Sequence, residues 1–209
     1  MPSFLPPVVR NHVSALRMLL VFTVITGVVY PLAVTGVAQA AFPDQANGSL
    51  VKQNGKVVGS SLIGQNFNLP LKEGQTSPNP DPKWFQSRPS AAGTNGYDPT
   101  ASGASNLGPN STVLIQDINQ RRAAVAKFDG VDPSTVPVDA LTASGSGLDP
   151  DISSAYAYEQ VNRVAKARGL DPAVVRKLVS DHITGRPLGF LGNEYVDVVT
   201  LNLALTNLK

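Results

Sequence analysis

The sequence predicts a single N-terminal transmembrane helix followed by one extracytoplasmic α/β (α+β) domain. Residues 18–43 carry no charged side chain, and all 15 acidic residues of the 209-residue chain lie from Asp44 onward. Since roughly 20 apolar residues span the hydrocarbon core of a bilayer, we expect a transmembrane helix over residues 18–38. Strand and helix patterns follow one another in the remainder, whose length suits one modest domain with its own core.

The flanking charges predict the orientation of this helix. Arg10 and Arg17 precede it, and no basic residue follows closely on its other side. Under the positive-inside rule, residues 1–17 stay in the cytoplasm and residues 39–209 lie outside. The alternative is a cleaved secretory signal, because Ala38-Gln39-Ala40 resembles an A-x-A cleavage site. We favour a retained anchor, because the apolar stretch of about 20 residues exceeds the 7 to 15 residues typical of the apolar region of a signal peptide.

Three residues of the anchor are candidate contacts with a neighbouring membrane helix. Gly27, Pro31 and Gly36 weaken or kink a helix, yet they are tolerated in membranes where other helices pack against them. The alternative is that they reflect only the composition of membrane helices in general.

Charge and cysteine content exclude several classes of function. From residue 44 onward, 15 Lys and Arg residues face 15 acids, so the outer domain has no net charge with which to attract nucleic acid. The chain has no cysteine, which excludes disulfides and thiolate metal sites. His182 is the single histidine of the outer domain, and its helical spacing places it on an apolar face. We therefore predict no metal site.

The outer domain begins with a predicted hairpin and a long loop. Asn54-Gly55 is a strong hairpin signal, with strands expected around residues 50–51 and 57–58. Residues 72–109 are rich in Pro, Gly, Asn and Ser and lack periodicity, which predicts a long functional loop. Trp84, Phe85 and Arg88 are typical interface anchors, so we expect this loop to dock on a partner. The alternative is that Trp84 and Phe85 cover the core of their own domain.

Helices predominate after the loop. The pattern predicts a helix from an N-cap at Asn110 or Ser111 to Gly130, a buried strand over residues 136–143, a helix from Ser153 to Gly169, and a helix capped by Asp171 with Pro172 at its first position. The tail over residues 195–208 fits both a strand and a helix, and periodicity does not decide between them.

Catalytic motifs are weak. Ser49-Leu50-Val51-Lys52 matches the S-x-x-K pattern of acyl transferases, but Lys52 falls in a predicted strand and no K-T-G motif accompanies it. A membrane-anchored extracytoplasmic serine hydrolase or acyl transferase remains the alternative function, and a lone adhesive or structural domain is a third. The chain has no G-x-x-x-x-G-K-[ST] motif, and the glycines near Ser146 are better explained as a structural turn.

Several motifs occur in the same order as in one known family. They are GVVYPL at residues 27–32, GSSLIGQ at 59–65, WFQSRPSA at 84–91, SGASNLGP at 102–109, VPVD at 136–139 with TASGSGLDP at 142–150, RPLGFLG at 186–192 and LNLAL at 201–205. Together they resemble the C subunit (KdpC) of the bacterial Kdp potassium-transporting P-type ATPase. Two positions depart from the family pattern: Asp151 replaces a usual histidine, and Asn193 replaces a usual glutamate.

The resemblance implies an accessory, noncatalytic subunit in the bacterial plasma membrane. Its implied partners are a channel-like K⁺-translocating subunit, a P-type ATPase subunit and a small membrane subunit, with lipid around the anchor. ATP and K⁺ would be handled by the complex, so we expect no cofactor on this chain itself. The implied role is to assemble or stabilise the complex, or to couple to ATP hydrolysis as a catalytic chaperone. Within the matching motifs, Pro89, Ser105 and Asn106 are further candidate partner contacts.

Overall fold

The structure is a computed structural model that describes residues 6–73, 75 and 79–208. The predicted segments 1–17, 72–109 and 39–209 therefore each include residues outside the described ones. The chain divides into two units, Met1–Ser49 and Leu50–Lys209. Each unit is described by itself below.

The first unit is a long apolar helix followed by one short helix. Helix α1 (Pro7–Val24) continues through a π-helical turn (Ile25–Val29) into α2 (Tyr30–Ala41), and α3 (Pro43–Ala46) follows. The continuous helix Pro7–Ala41 is long and apolar enough to cross a membrane. It extends beyond the predicted residues 18–38 at both ends.

Pro31 explains the π-helical turn. Proline has no N–H to donate to the carbonyl of Gly27, and its ring clashes with that carbonyl in a regular α-helix. In the wider turn a hydrogen bond reaches back five residues instead of four, since Tyr30 N donates to the carbonyl of Ile25. The hydroxyl of Thr26 also donates to the carbonyl of Phe22 at 2.6 Å.

The second unit begins with the hairpin that the sequence predicts. Strands β1 (Leu50–Gln53) and β2 (Lys56–Ser60) pair antiparallel around Asn54 and Gly55. Both turn residues have positive φ angles, 51° and 78°, as a two-residue hairpin turn requires. The prediction of a strand pair is confirmed.

Five helices, α4 to α8, follow the long loop. They are α4 (Thr112–Asp129), α5 (Ser154–Glu159), α6 (Val161–Arg168), α7 (Pro172–Asp181) and α8 (Val198–Leu205). The predicted N-caps are confirmed, since Ser111, Ser153 and Asp171 each accept a hydrogen bond from a backbone N–H of the first turn. Gly130 and Gly169 end α4 and α6 with φ angles of 72° and 68°.

The predicted strand over residues 136–143 is wrong. This segment contains a 3₁₀ helix, Val138–Ala140, between turns. Pro137 lacks an N–H for strand pairing. Asp139 accepts hydrogen bonds from the backbone N–H and hydroxyl of Ser153, which fixes the segment against the start of α5. Val136, Ala140 and Leu141 are buried by this irregular packing, whereas Val138 is exposed, so the apolar composition alone gave the strand-like pattern.

The predicted helix from Ser153 to Gly169 is two helices, α5 and α6, which meet at a turn at Gln160. The tail, which the sequence left open, contains both elements: β5 (Tyr195–Asp197) leads directly into α8. Strand β5 is the centre of a three-stranded antiparallel sheet, between β3 (Asp151–Ile152) and β4 (Ile183–Thr184).

One hydrophobic core joins these elements. It contains Phe85 from the long loop together with residues from α4 to α8 and β5. Its fully buried members include Val161, Val164, Val175, Val179, Val196, Val198, Leu201 and Leu205.

Candidate functional site: partner-contact surfaces

Two buried amide side chains hold the segment that carries the predicted interface anchors. Asn202 on α8 accepts a hydrogen bond from Phe85 N and donates to Phe85 O, both at 2.9 Å. Gln160 accepts from Gln86 N at 2.6 Å and donates to Gln86 O at 3.0 Å. These amides pair with consecutive backbone residues as a neighbouring strand would. Residues 85 and 86 of the loop are therefore held in place by their own domain.

Arg163 fixes the other side of the same segment. Its guanidinium pairs with Asp129 and donates to the backbone carbonyls of Pro82 and Trp84 at 2.8 and 2.9 Å. Burial raises the pKa of Asp129, and the adjacent Arg163 counteracts that rise. Because this ion pair joins α4 to α6 and to the loop, it positions the backbone of Trp84, whose side chain is half-buried against the core.

Trp84, Phe85 and Arg88 all have partners inside the domain. Phe85 is fully buried. Trp84 lies 6.2 Å from Phe67 between ring centroids, and the Arg168 guanidinium stacks 4.3 Å above its ring. Arg88 forms a 2.9 Å ion pair with Asp149. These contacts match the alternative that Trp84 and Phe85 cover their own core, while contact with a partner stays a prediction.

The remaining predicted contact residues are more accessible. Pro89 is half-buried, and Ser105 and Asn106 are exposed on the loop. Gly27, Pro31 and Gly36 are exposed on the apolar helix, and a Cβ atom added at either glycine would meet nothing within 4 Å. A close-packed neighbour could therefore approach the helix backbone at these glycines.

The glycine-rich turn at residues 145–147 is a structural feature. Gly147 has a φ of 67°, and a Cβ atom there would lie 2.7 Å from the carbonyl oxygen of Gly103. Ser90 Oγ donates to Gly147 O at 2.6 Å, and Gly103 N donates to Ser146 O at 2.9 Å. The turn is thus packed against the long loop.

A groove of about 460 Å³ lies between the loop and α4. Its lining includes Phe67, Arg88, Tyr97, Arg121, Phe128 and Tyr156. The Tyr97 hydroxyl donates to the carbonyl of Arg88, and burial raises the pKa of Tyr97 to about 12. Arg121 donates to the carbonyl of Leu141 at 3.0 Å. Both arginines of the groove are therefore engaged by the protein itself.

Besides Asp129, three further carboxyl groups of the domain have raised pKa values. Burial raises the pKa of Asp151 to about 6 and that of Glu159 to about 7, with nearby carboxylates adding to both effects. Burial also raises the pKa of Asp197. Within the described ranges, no group of three or more His, Cys, Asp or Glu residues could hold a metal ion.

The motif for acyl transfer is not assembled. Lys52 lies on β1, and Ser49 precedes that strand, so the two are not one helical turn apart. His182, the histidine that a serine triad would need, is half-buried, and its Nδ1 lies 2.8 Å from the carbonyl oxygen of Leu178. Nothing in the described part of the chain supports the serine hydrolase alternative.

The geometry defines a class of protein: an apolar helix long enough for a membrane, joined to a small α/β domain whose polar side chains serve mainly its own packing. Comparison with known proteins identifies the family. The family model KdpC, "K+-transporting ATPase, c chain", matches residues 12–207. The chain therefore belongs to the KdpC family and is an accessory subunit of the K⁺-transporting ATPase.

Curated relatives agree over nearly the full length. The potassium-transporting ATPase KdpC subunit of Streptomyces avermitilis is 55% identical over 205 residues, covering 93% of this chain and 92% of that protein. The KdpC subunit of Streptomyces coelicolor is 52% identical over 209 residues, with coverages of 95% and 93%. That of Mycobacterium tuberculosis is 50% identical over 200 residues, with coverages of 95% and 99%.

Proposed function

We propose that this chain is a single-pass subunit that stabilises the assembled transporter by packing its anchor helix in a fixed register against membrane helices of partner subunits. In this arrangement the N-terminus is cytoplasmic and the domain is extracytoplasmic. The proposed partners are the channel-like K⁺-translocating subunit, the P-type ATPase subunit and the small membrane subunit of the complex.

The π-helical turn beside Pro31 is the observation that carries this proposal. A helix that serves only as a tether needs neither a helix-breaking proline nor a widened turn. Such turns recur at functional sites, and neighbouring helices often satisfy the backbone groups that proline frees in membranes. Gly27 lies in this turn and Gly36 lies beyond it, each with open space above its backbone. Small residues of this kind allow the close backbone approach that drives helix association in lipid.

The chemistry of the outer domain supports a noncatalytic role. Its two groove arginines and its buried amides are engaged in packing, and the sequence lacks a P-loop motif. We propose that ATP and K⁺ are bound by the partner subunits and that this chain binds no cofactor. If this chain contacts its partner subunits differently in two states of the pump, its binding free energy differs between those states. That difference is a coupling free energy through which docking influences ATP hydrolysis.

The test is copurification after substitution at the two glycines. Replacing Gly27 and Gly36 with leucine adds bulk where we expect close packing, so recovery of partner subunits with this chain in detergent should fall. Val34→Leu is the matched control, since Val34 is an exposed anchor residue that already carries a branched side chain. Unaltered copurification of the double variant would contradict the proposal and leave the helix as a tether.

A further inference from the structure

The groove between the long loop and α4 has the size and the walls of a small-molecule site. Its volume of about 460 Å³ falls within the range of roughly 300 to 1,000 Å³ that is usual for ligand pockets. Such pockets are lined mainly by apolar and aromatic side chains, with a few polar groups that orient the ligand. The aromatic side chains of this groove are those of Phe67, Tyr97, Phe128 and Tyr156. What the groove binds therefore depends on which of its polar groups are free.

Tyr156 brings an unpaired hydroxyl to this groove. The residue lies near the start of α5 and is only 4% exposed, and within the described part of the chain its hydroxyl takes part in no hydrogen bond. Tyr97, in contrast, donates to the carbonyl of Arg88 at 2.9 Å. Burial raises the pKa of Tyr156, so the group is a neutral hydroxyl that both donates and accepts. Leaving such a group unpaired away from bulk water costs free energy, and a hydroxyl of a bound molecule would remove that cost.

Three more polar side chains with the same dual character line the groove. Asn68 is half-buried, and Thr94 and Asn95 are exposed. None of these three side chains forms a hydrogen bond with another described residue. Amide and hydroxyl groups each combine a donor with an acceptor. The free polar groups of the groove therefore suit a ligand that carries several hydroxyl groups.

The charges around the groove are balanced. Arg88 pairs with Asp149 at 2.9 Å, and Arg121 lies 3.5 Å from Asp117. Each arginine of the groove thus has a carboxylate partner, and no acidic residue belongs to the described lining. An ion of either sign would enter without a free counter-charge, and burial of an unpaired charge is costly. These pairs therefore favour an uncharged ligand.

From the free polar groups, the balanced charges and the aromatic walls, we propose that this groove binds a neutral saccharide of one or two sugar rings. The sugar hydroxyls pair with the Tyr156 hydroxyl and with the amides of Asn68 and Asn95. The C–H face of a sugar ring packs against the aromatic walls, which removes its apolar surface from water. A peptide fits less well, because peptides commonly add to a free strand edge, and none of the strands β1 to β5 contributes to the described lining. This binding is separate from the proposed packing of the anchor and does not depend on it.

Saturation-transfer difference NMR on the full-length chain tests the proposal. The protein is solubilised in lauryldimethylamine oxide, because a detergent with a sugar headgroup would compete for the groove. The two ligands are maltose, which represents a free sugar, and N,N′-diacetylchitobiose, which represents a unit of an N-acetylated glycan chain. We expect saturable transfer to the ring protons of at least one of them, and the one that binds identifies the source of the saccharide. Absence of saturable transfer to both at millimolar concentrations would overturn the proposal.

Two variants locate the bound sugar. Tyr156→Phe keeps the ring and removes the free hydroxyl, so affinity should fall about fivefold, as expected for the loss of one hydrogen bond. Ala124 is an exposed residue of α4 that lines the groove, so Ala124→Phe should block binding without disturbing the core. Ala123→Phe is the matched control, because Ala123 is also exposed on α4 but lies outside the described lining. Wild-type affinity in Tyr156→Phe, or equal binding by Ala124→Phe and Ala123→Phe, would overturn the assignment of a saccharide to this groove.

Discussion

Asp151 lies directly opposite Asp197 across the antiparallel strands β3 and β5. Like charges at this position are unfavourable, and both side chains are partly buried. Burial, together with the smaller effects of Asp149 and Asp197, raises the pKa of Asp151 to about 6. The pair thus couples the stability of the second unit to pH.

Removing the charge of Asp151 should stabilise the domain at neutral pH. Because the pKa in the folded state lies above the unfolded value of about 3.9, the folded state binds more protons between roughly pH 4 and 6. Stability therefore falls as the pH rises through this window. Asp151→Asn and Asp151→His should raise the thermal midpoint above pH 6, and Asp151→Asn should give no gain below pH 4.

Trp84 is the single tryptophan of the chain, so its fluorescence reports unfolding of the outer domain in detergent-solubilised full-length protein. Glu194→Gln is the control, because Glu194 is an exposed carboxylate near the same sheet. If Asp151→Asn and the wild type had equal thermal midpoints at every pH, the two facing carboxylates would not destabilise the domain.

Glu159 should give a second pH dependence at higher pH. Burial raises its pKa to about 7, with Asp129 and Asp139 adding to the rise. Its Oε1 atom is buried without a hydrogen-bond partner among the described residues. Glu159→Gln should therefore raise the tryptophan-monitored midpoint at pH 8 and change it little at pH 4. A loss of stability at pH 8 would mean that the ionised carboxylate makes a favourable contact.

The buried pair of Arg163 and Asp129 should be essential for stability. Their side chains are 5% and 1% exposed, and removal of one partner leaves an uncompensated buried charge. Arg163→Leu should cost about 3 to 5 kcal/mol in urea unfolding. The exposed pair of Lys177 and Asp181 is the control, and Lys177→Ala should cost less than about 1 kcal/mol. Similar losses for the two variants would contradict the structural role given to Arg163.

Local signals made much of the fold predictable. The Asn54-Gly55 turn and the caps at Ser111, Asp171 and Gly169 act within a few residues, so the sequence alone identifies them. Residues 136–143 were misassigned because tertiary packing, through the bonds from Ser153 to Asp139, decides their conformation. Contacts between residues that are far apart in the chain could not be predicted from the sequence. Asn202 and Phe85 are 117 residues apart, and an asparagine inside an apolar helix is the feature that could have drawn attention to them.

The candidate partner contacts also differ in whether nearby residues explain them. Gly27 and Pro31 were identified because glycine and proline weaken or kink the helix in which they lie. Trp84 and Arg88 were selected because their residue types are common at interfaces. That preference does not distinguish contacts with a partner from contacts with Phe67, Arg168 or Asp149 inside one domain.

Retention of the anchor is tested by intact mass. The apolar helix continues through Ala41, past the Ala38-Gln39-Ala40 sequence that a signal peptidase would read. We expect protein extracted from the membrane to have the mass of the uncleaved chain. A mass that begins at Ala41 would contradict both the anchor and its proposed packing against partner helices.

Ser105 and Asn106 offer the clearest test of contact between the long loop and a partner. Both are exposed, whereas Trp84 and Arg88 also support their own domain, so that their substitution would change stability and assembly together. Ser105→Tyr places a bulky ring on the loop without removing an internal contact. If the loop docks on a partner, we expect a loss of roughly 2 kcal/mol, about thirtyfold in affinity, and reduced copurification.

The thermal midpoint of the same variant should stay at the wild-type value, because an exposed substitution away from the core changes stability by only about 0.5 kcal/mol. Ala123→Tyr, at an exposed position on α4, is the matched control for bulk alone. Normal copurification of Ser105→Tyr would exclude this part of the loop from the interface. An equal loss of copurification for Ala123→Tyr would show that α4 also contacts a partner. An interface confined to the loop should instead tolerate an added ring at Ala123.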